Sequence, residues 1–165
     1  MLLRYLRSQG PDIADDVASD VWIAVSRQLA RFVGDESGFR RWLFTIARRR
    51  LIEARRKQAR QRSAAVPADE IEQISRAGAG AGARFAADDP ATHVVDQVSA
   101  QQALGIVVAD LTPDQAEVVL LRVVAGFGVA EVAAITDRTP ASVRVLCHRA
   151  LRRLRTRFPE GVLVE

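Results

Sequence analysis

Phe32-Val33-Gly34-Asp35-Glu36-Ser37-Gly38-Phe39-Arg40-Arg41-Trp42-Leu43-Phe44-Thr45-Ile46-Ala47-Arg48 changes character midway. Val33 to Gly38 are small, acidic or glycine residues and read as a loop. From Ser37 or Phe39 onward the pattern turns helical. Phe39, Trp42, Leu43, Ile46 and Ala47 fall at three- and four-residue steps, which puts them on one face. That spacing assigns Trp42 to a core rather than to a stacking platform. The pattern predicts a helix to about Gln61 with a basic remainder: Arg40 to Arg62 hold ten basic residues and one acid, Glu53.

Upstream, Ile13, Val17, Val21, Ala24, Val25 and Phe32 give a second helical stripe, from about Asp12 to Phe32. Asp12, Asp15, Asp16 and Asp20 crowd its first half, where carboxylates also suit a helix N-terminus. Downstream of Arg62 the composition shifts. Ala77 to Ala83 alternate alanine and glycine, a flexible linker by composition, and Asp88-Asp89-Pro90 ends it. A second unit starts near Ala91 with a helix to about Asp110. Leu111-Thr112-Pro113-Asp114-Gln115 is a strong helix start: Thr112 can cap, Pro113 suits the first turn and Gln115 can complete a capping box. That helix is expected to end near Ala125-Gly126. A short helix from Val129 to Ile135 and a last one from Thr139-Pro140 to about Arg157 then form a helix-turn-helix. Val143, Cys147, Ala150 and Leu154 make the core face of the last helix.

Scarce aromatics, at 5%, and abundant alanine, valine and leucine favour packed helices over a β-sandwich. The fold expected is all-α: two small helical domains, residues 1–62 and 91–159, joined by a flexible acidic linker, 63–90. The net charge of +4 is unevenly placed. Arg144 to Arg157 hold six arginines and no acid, whereas Ser63 to Ala100 carry six acids and two arginines. Two basic blocks around an acidic middle suggest two contacts with a polyanion. Solvated helix faces would account for charge alone, but Lys57 is the single lysine, and arginine suits bidentate phosphate and guanine contacts.

One cysteine, Cys147, excludes an intramolecular disulfide and a cysteine-based zinc site. His148 has only His93 as a fellow histidine, with no ligand cluster. No nucleophile motif, phosphate loop or metal-ligand spacing occurs, so no catalysis, cofactor or metal is expected. Met1-Leu2-Leu3 is followed at once by Arg4 and Arg7, unlike a signal peptide, and no apolar run reaches membrane-spanning length. A cytoplasmic location without membrane insertion is expected.

The acidic-then-basic helices, the linker and the helix-turn-helix together resemble the sigma-70 family, specifically its extracytoplasmic-function (ECF) sigma factors, which keep only regions 2 and 4. In region 2 the similarity rests on Ala14 to Trp22 and on Phe32 to Arg48. In region 4 it rests on Leu111 to Gln115 through Leu121-Arg122, on Glu131-Val132-Ala133, on Pro140 to Arg144, and on His148-Arg149-Ala150. There are departures. Ser19 stands where the family has glutamine, Asp137 where it has a turn glycine, and Val145 and Leu146 where it has a small polar and a basic residue. Leu2 to Leu6 resemble the end of the family's first helix, so region 2 is expected to be N-terminally incomplete.

The resemblance implies a promoter-binding subunit that directs RNA polymerase. Asp12, Asp15, Asp16 and Asp20 would meet the clamp helices of the core enzyme, whose flap would be a further contact. Asp35, Glu36, Ser37, Phe39, Arg40, Arg41, Arg48 and Arg49 would handle the minus-ten element, where a melted strand needs a base pocket and backbone cations. Thr139, Ser142, Arg144, Val145, His148, Arg149 and Arg153 would meet the minus-thirty-five element, with Arg152, Arg153 and Arg155 at phosphates or solvent. Partners implied are core RNA polymerase, promoter DNA and an anti-sigma protein. The alternative is a helix-turn-helix regulator that binds duplex DNA without polymerase.

Overall fold

The computed structural model describes residues 1–65 and 103–157, and among these there are helices and no strands. The Ala-Gly run, Asp88-Asp89-Pro90, His93 and most of the helix expected from Ala91 lie outside the described residues; of that helix, 103–109 is described and is helical.

The first unit is built from α1 (Leu2–Gln9), α2 (Ala14–Gln28) and α3 (Glu36–Ala65). The apolar face expected on α2 is the one it buries: Ala14, Val17, Val21, Ala24 and Val25. Short 3-10 turns at Pro11–Ile13 and Leu29–Arg31 flank it, so the regular α-helix is shorter than the stripe from Asp12 to Phe32. Loop and helix meet at Asp35, whose Oδ1 accepts the Gly38 N–H at 2.7 Å. This is the N-terminal capping arrangement that short acidic side chains supply. The helix then runs to Ala65, beyond both Gln61 and the expected boundary at residue 62, and no proline falls within it. Phe32, Phe39 and Trp42 form an aromatic cluster, with Phe32 and Trp42 stacked at 5.2 Å. Trp42 therefore serves packing, as its spacing indicated. Arg55 of α3 donates to the carbonyl and side-chain oxygens of Gln9, satisfying the end of α1.

The second unit holds α4 (Pro113–Val123), α5 (Val129–Thr136) and α6 (Pro140–Arg157). The capping box read from the sequence is formed. Thr112 Oγ1 accepts from Gln115 N–H, and Gln115 Oε1 accepts from Thr112 N–H. Thr112→Ala is expected to cost about 1 kcal/mol, measured as a lower urea midpoint with an unchanged m-value. Two tight turns need left-handed backbone: Gly126, at φ +72°, and Asp137, at φ +55°. Aspartate tolerates that region better than most residues, which explains how Asp137 can stand at a turn otherwise suited to glycine.

The units share a core. Tyr5, Leu6, Val21, Phe44 and Leu51 belong to the same buried cluster as Val118, Leu121, Phe127, Val132 and Val143. The physical cause lies in α4, where Ala116 and Val118 to Leu121 are all buried. These positions wrap around more than one face, so α6 alone cannot cover them. Beyond α6, α4 packs on α5 and α1, and α5 in turn packs on α3.

Candidate nucleic-acid interface

Position along α2 decides which acids point outward together. Asp16 and Asp20 are four residues apart on α2 and exposed, with Asp15 beside them and Asp12 exposed in the 3-10 turn that precedes the helix. Asp15 is bridged to Arg7 at 3.2 Å, whereas Asp16 and Asp20 have no ion pair among the described residues. An apolar neighbour escaped the sequence reading. Trp22 is 53% exposed and lines a groove with Leu3, Ala18 and Leu43. Its signal was present in the stripe, because Trp22 follows Val21 and so falls off the buried face.

The eight residues assigned to the minus-ten element separate into three groups. Asp35 is committed to capping α3 and Phe39 to the aromatic cluster. Glu36, Arg41 and Arg49 are exposed. Ser37, Arg40 and Arg48 are engaged by the second unit. Arg48 makes two bonds to Glu117, Nε to Oε1 at 2.8 Å and Nη2 to Oε2 at 3.3 Å, a bidentate pair in which both side chains are mostly buried. Arg40 Nη2 donates to the Ala125 carbonyl at 2.7 Å, and its guanidinium lies 5.3 Å from the centroid of the Phe127 ring. The Ser37 hydroxyl donates to Glu131 Oε1 at 3.2 Å, while Glu131 Oε2 accepts the Gly128 N–H that opens α5. Phe127 packs edge-on against Phe44 at 4.9 Å. Glu117, Ala125, Phe127 and Glu131 were not foreseen as partners of this face.

Tyr5 lies under the same seam, packed against Phe44. Burial pushes its phenol well above the ordinary range, with nearby Glu117 adding to the rise.

The helix-turn-helix is open on its outer side. Val143 and Ala150 are buried in α6, with Cys147 and Leu154 half-buried, as the periodicity indicated. Leu146 joins them against the core, so its place is on the packing side rather than the reading side. Arg144, Val145, His148, Arg149 and Arg153 are all exposed. Thr139 Oγ1 accepts the Ser142 N–H at 3.2 Å and caps the helix, which gives both residues a structural task at the end that would enter a groove. Burial pushes the Cys147 thiol up, against a smaller opposing pull from Arg122. No cluster of potential metal ligands occurs, and no helix is long and apolar enough to cross a membrane, among the described residues.

Comparison with known proteins matches this arrangement over both units. Residues 1–61 match the model for Sigma-70 region 2, and residues 102–154 that for Sigma-70, region 4. The ECF RNA polymerase sigma factor SigD of Mycobacterium tuberculosis is 29% identical, over 94% of this chain and 70% of that protein. ShbA of Streptomyces griseus, an ECF RNA polymerase sigma factor, is 30% identical over 94% of this chain and 80% of its own length. In fold, the chain is similar to the sigma factor RpoE of Bartonella quintana, solved with the anti-sigma factor NepR. The TM-score is 0.65 at 23% identity, covering 93% of this chain and 88% of that one. With both regions matched in order and relatives aligned along nearly the whole chain, this protein belongs to the ECF RNA polymerase sigma factors of the sigma-70 family.

Proposed function

We propose that the chain binds core RNA polymerase and directs promoter-specific initiation, through region 2 at residues 1–62 and region 4 at 91–159, joined by the linker 63–90. The observation that carries this reading is the outer face of α6. Arg144, Val145, His148 and Arg149 stand exposed together on the second helix of a helix-turn-helix, the element that enters a major groove. Arginine there can bond guanine O6 and N7, and an exposed valine suits a thymine methyl. Asp12, Asp15, Asp16 and Asp20 would hold the clamp helices of the polymerase. Arg41 and Arg49, which are exposed, together with Arg40 and Arg48 would track the minus-ten strand beside Glu36 and Ser37.

The chain itself supplies no chemistry in this reading; bond formation belongs to the polymerase, in the cytoplasm. By analogy with the neighbour captured with NepR, an anti-sigma protein is a further partner. The test is run-off transcription with core enzyme and a library of genomic promoters. Defined transcripts that require the chain are expected. Sequence-specific duplex binding with no association with core would instead favour the regulator that acts without polymerase.

A further inference from the structure

Arg138 stands in the turn between the left-handed Asp137 and Thr139, the residue that caps α6. Its N–H closes α5 on the Ala133 carbonyl at 2.9 Å, while its side chain reaches outside the α5–α6 pair. Nη2 lies 2.7 Å from Asp114 Oδ1, in the first turn of α4. Nε is buried with no hydrogen-bond partner among the described residues. An orphaned donor is unfavourable, so the pairing with Asp114, and not the local surroundings, keeps the side chain in this place. The far end of the pair is a fixed base, because the Thr112–Gln115 capping box sets the turn that carries Asp114.

The anchoring of α6 is unequal along its length. Its C-terminal half is fixed to α4 through Ala150 and Leu154, which pack with Leu111, Ala116 and Val119. Toward its N-terminus the buried anchor is Val143. Apolar burial there sets depth, but it is non-directional and does little to set tilt. Arg144 precedes Ala150 by about 9 Å along the axis. A tilt of about 10° pivoting at Ala150 would displace the Arg144 position by roughly 1.5 Å, beyond the tolerance of about 0.5 Å for a productive contact. Phosphate contacts survive such a shift, since the attraction between charges falls slowly with distance.

We propose that the Arg138–Asp114 pair is a clasp that sets the tilt of α6, which makes Arg138 a positioning residue for minus-thirty-five specificity. Arg138 meets no base. It holds the turn so that Arg144, Val145, His148 and Arg149 arrive in register. Asp114 neutralises it, so it adds little to the general attraction of α6 for a polyanion. A half-exposed ion pair also adds little to stability, and the effect of breaking it falls on discrimination between sequences. This inference rests on the reading of α6 as the helix that meets base edges.

The test uses the full chain and two labelled duplexes, one recovered by selection with the unchanged chain and one of scrambled sequence. Discrimination is the ratio of the two dissociation constants. Asp114→Asn and Arg138→Met each remove one charge and keep the bulk of the side chain. Either change should lower discrimination about fivefold or more. The double variant should lose no more than either alone, as residues of one pair do. Arg138→Lys keeps a cation on a flexible stem and should hold discrimination to within about twofold of the unchanged chain. Affinity of Asp114→Asn for the scrambled duplex should hold or rise, because Arg138 is then no longer neutralised. Circular dichroism should be unchanged in Asp114→Asn, whose side chain is 56% exposed, and this variant carries the test if Arg138→Met fails to fold.

Discrimination by both single variants within about twofold of the unchanged chain overturns the proposal, since breaking the pair then leaves α6 where it was. So does a uniform loss of affinity for both duplexes in Arg138→Met with discrimination intact in Asp114→Asn; Arg138 is then a phosphate contact. Losses that add in the double variant overturn it too, because the two residues then act separately. If the unchanged chain enriches no sequence and binds both duplexes alike, the reading of α6 has itself failed, and the clasp falls with it.

Discussion

Reversing Asp16 and Asp20 to lysine is expected to weaken assembly with core RNA polymerase by about 2 kcal/mol or more, roughly 30-fold. The two carboxylates are four residues apart on the exposed side of α2, and neither is neutralised by an ion pair among the described residues. Each replacement turns an attraction to a cationic partner into a repulsion, so the effect of two exceeds the loss of two exposed pairs. Asp15 is a poorer choice, because Arg7 already bridges it and its reversal would also disturb the junction of α1 with α2. Fluorescence anisotropy of labelled chain titrated with core enzyme measures the loss, which should shrink as salt rises. Circular dichroism should be unchanged, since both positions are exposed. Affinity for core within twofold of the unchanged chain would remove α2 from the polymerase contact and return its acids to the role of helix N-terminal charge.

Local features of this fold were legible because each is specified by a few adjacent residues. The Thr112–Gln115 box, the buried stripe of α2, the packing side of α6 and the left-handed turn at Asp137 all follow from spacing or from backbone sterics. The exposed arginines of α6 were legible for the same reason. Once Val143, Cys147 and Ala150 face inward, the four-residue steps from Arg144 and Val145 face out. The seam was not legible. Periodicity says that a face is basic and never what lies against it, and Arg48 meets Glu117 across 69 positions. One signal did exist. Ala116, Val118, Val119, Leu120 and Leu121 are all apolar, too broad an arc for a helix that packs on a single neighbour. A single acid, Glu117, within that apolar run called for a buried partner, since a lone carboxylate there would be costly. Basic residues on α3 were the available supply.

The same outward register gives the sharpest expectation for promoter reading. Arg144, Val145, His148 and Arg149 cluster on one face of α6, and Arg153 lies one turn beyond Arg149 toward its C-terminal end. The N-terminal part of such a helix meets base edges, while the part leaving the groove passes phosphates. A bidentate arginine contact to a base discriminates by roughly 1–3 kcal/mol, whereas a phosphate contact carries no sequence information. Arg149→Ala should therefore relax preference at particular positions of the minus-thirty-five element, with roughly 5- to 150-fold less discrimination there. Arg155→Ala should weaken all sequences alike and reduce the slope of log affinity against log salt by about one. Both arginines are exposed and outside the core of α6, so neither change should alter folding. Binding-site selection from a randomised duplex, run on each variant at two salt concentrations, separates the two effects. If Arg149→Ala lowers affinity uniformly and the selected sequence stays the same, the face of α6 that meets the bases is not the one centred on Arg149. The helix would then have to sit in the groove about another line of contact, through Arg152 and His148, with Arg149 demoted to a phosphate.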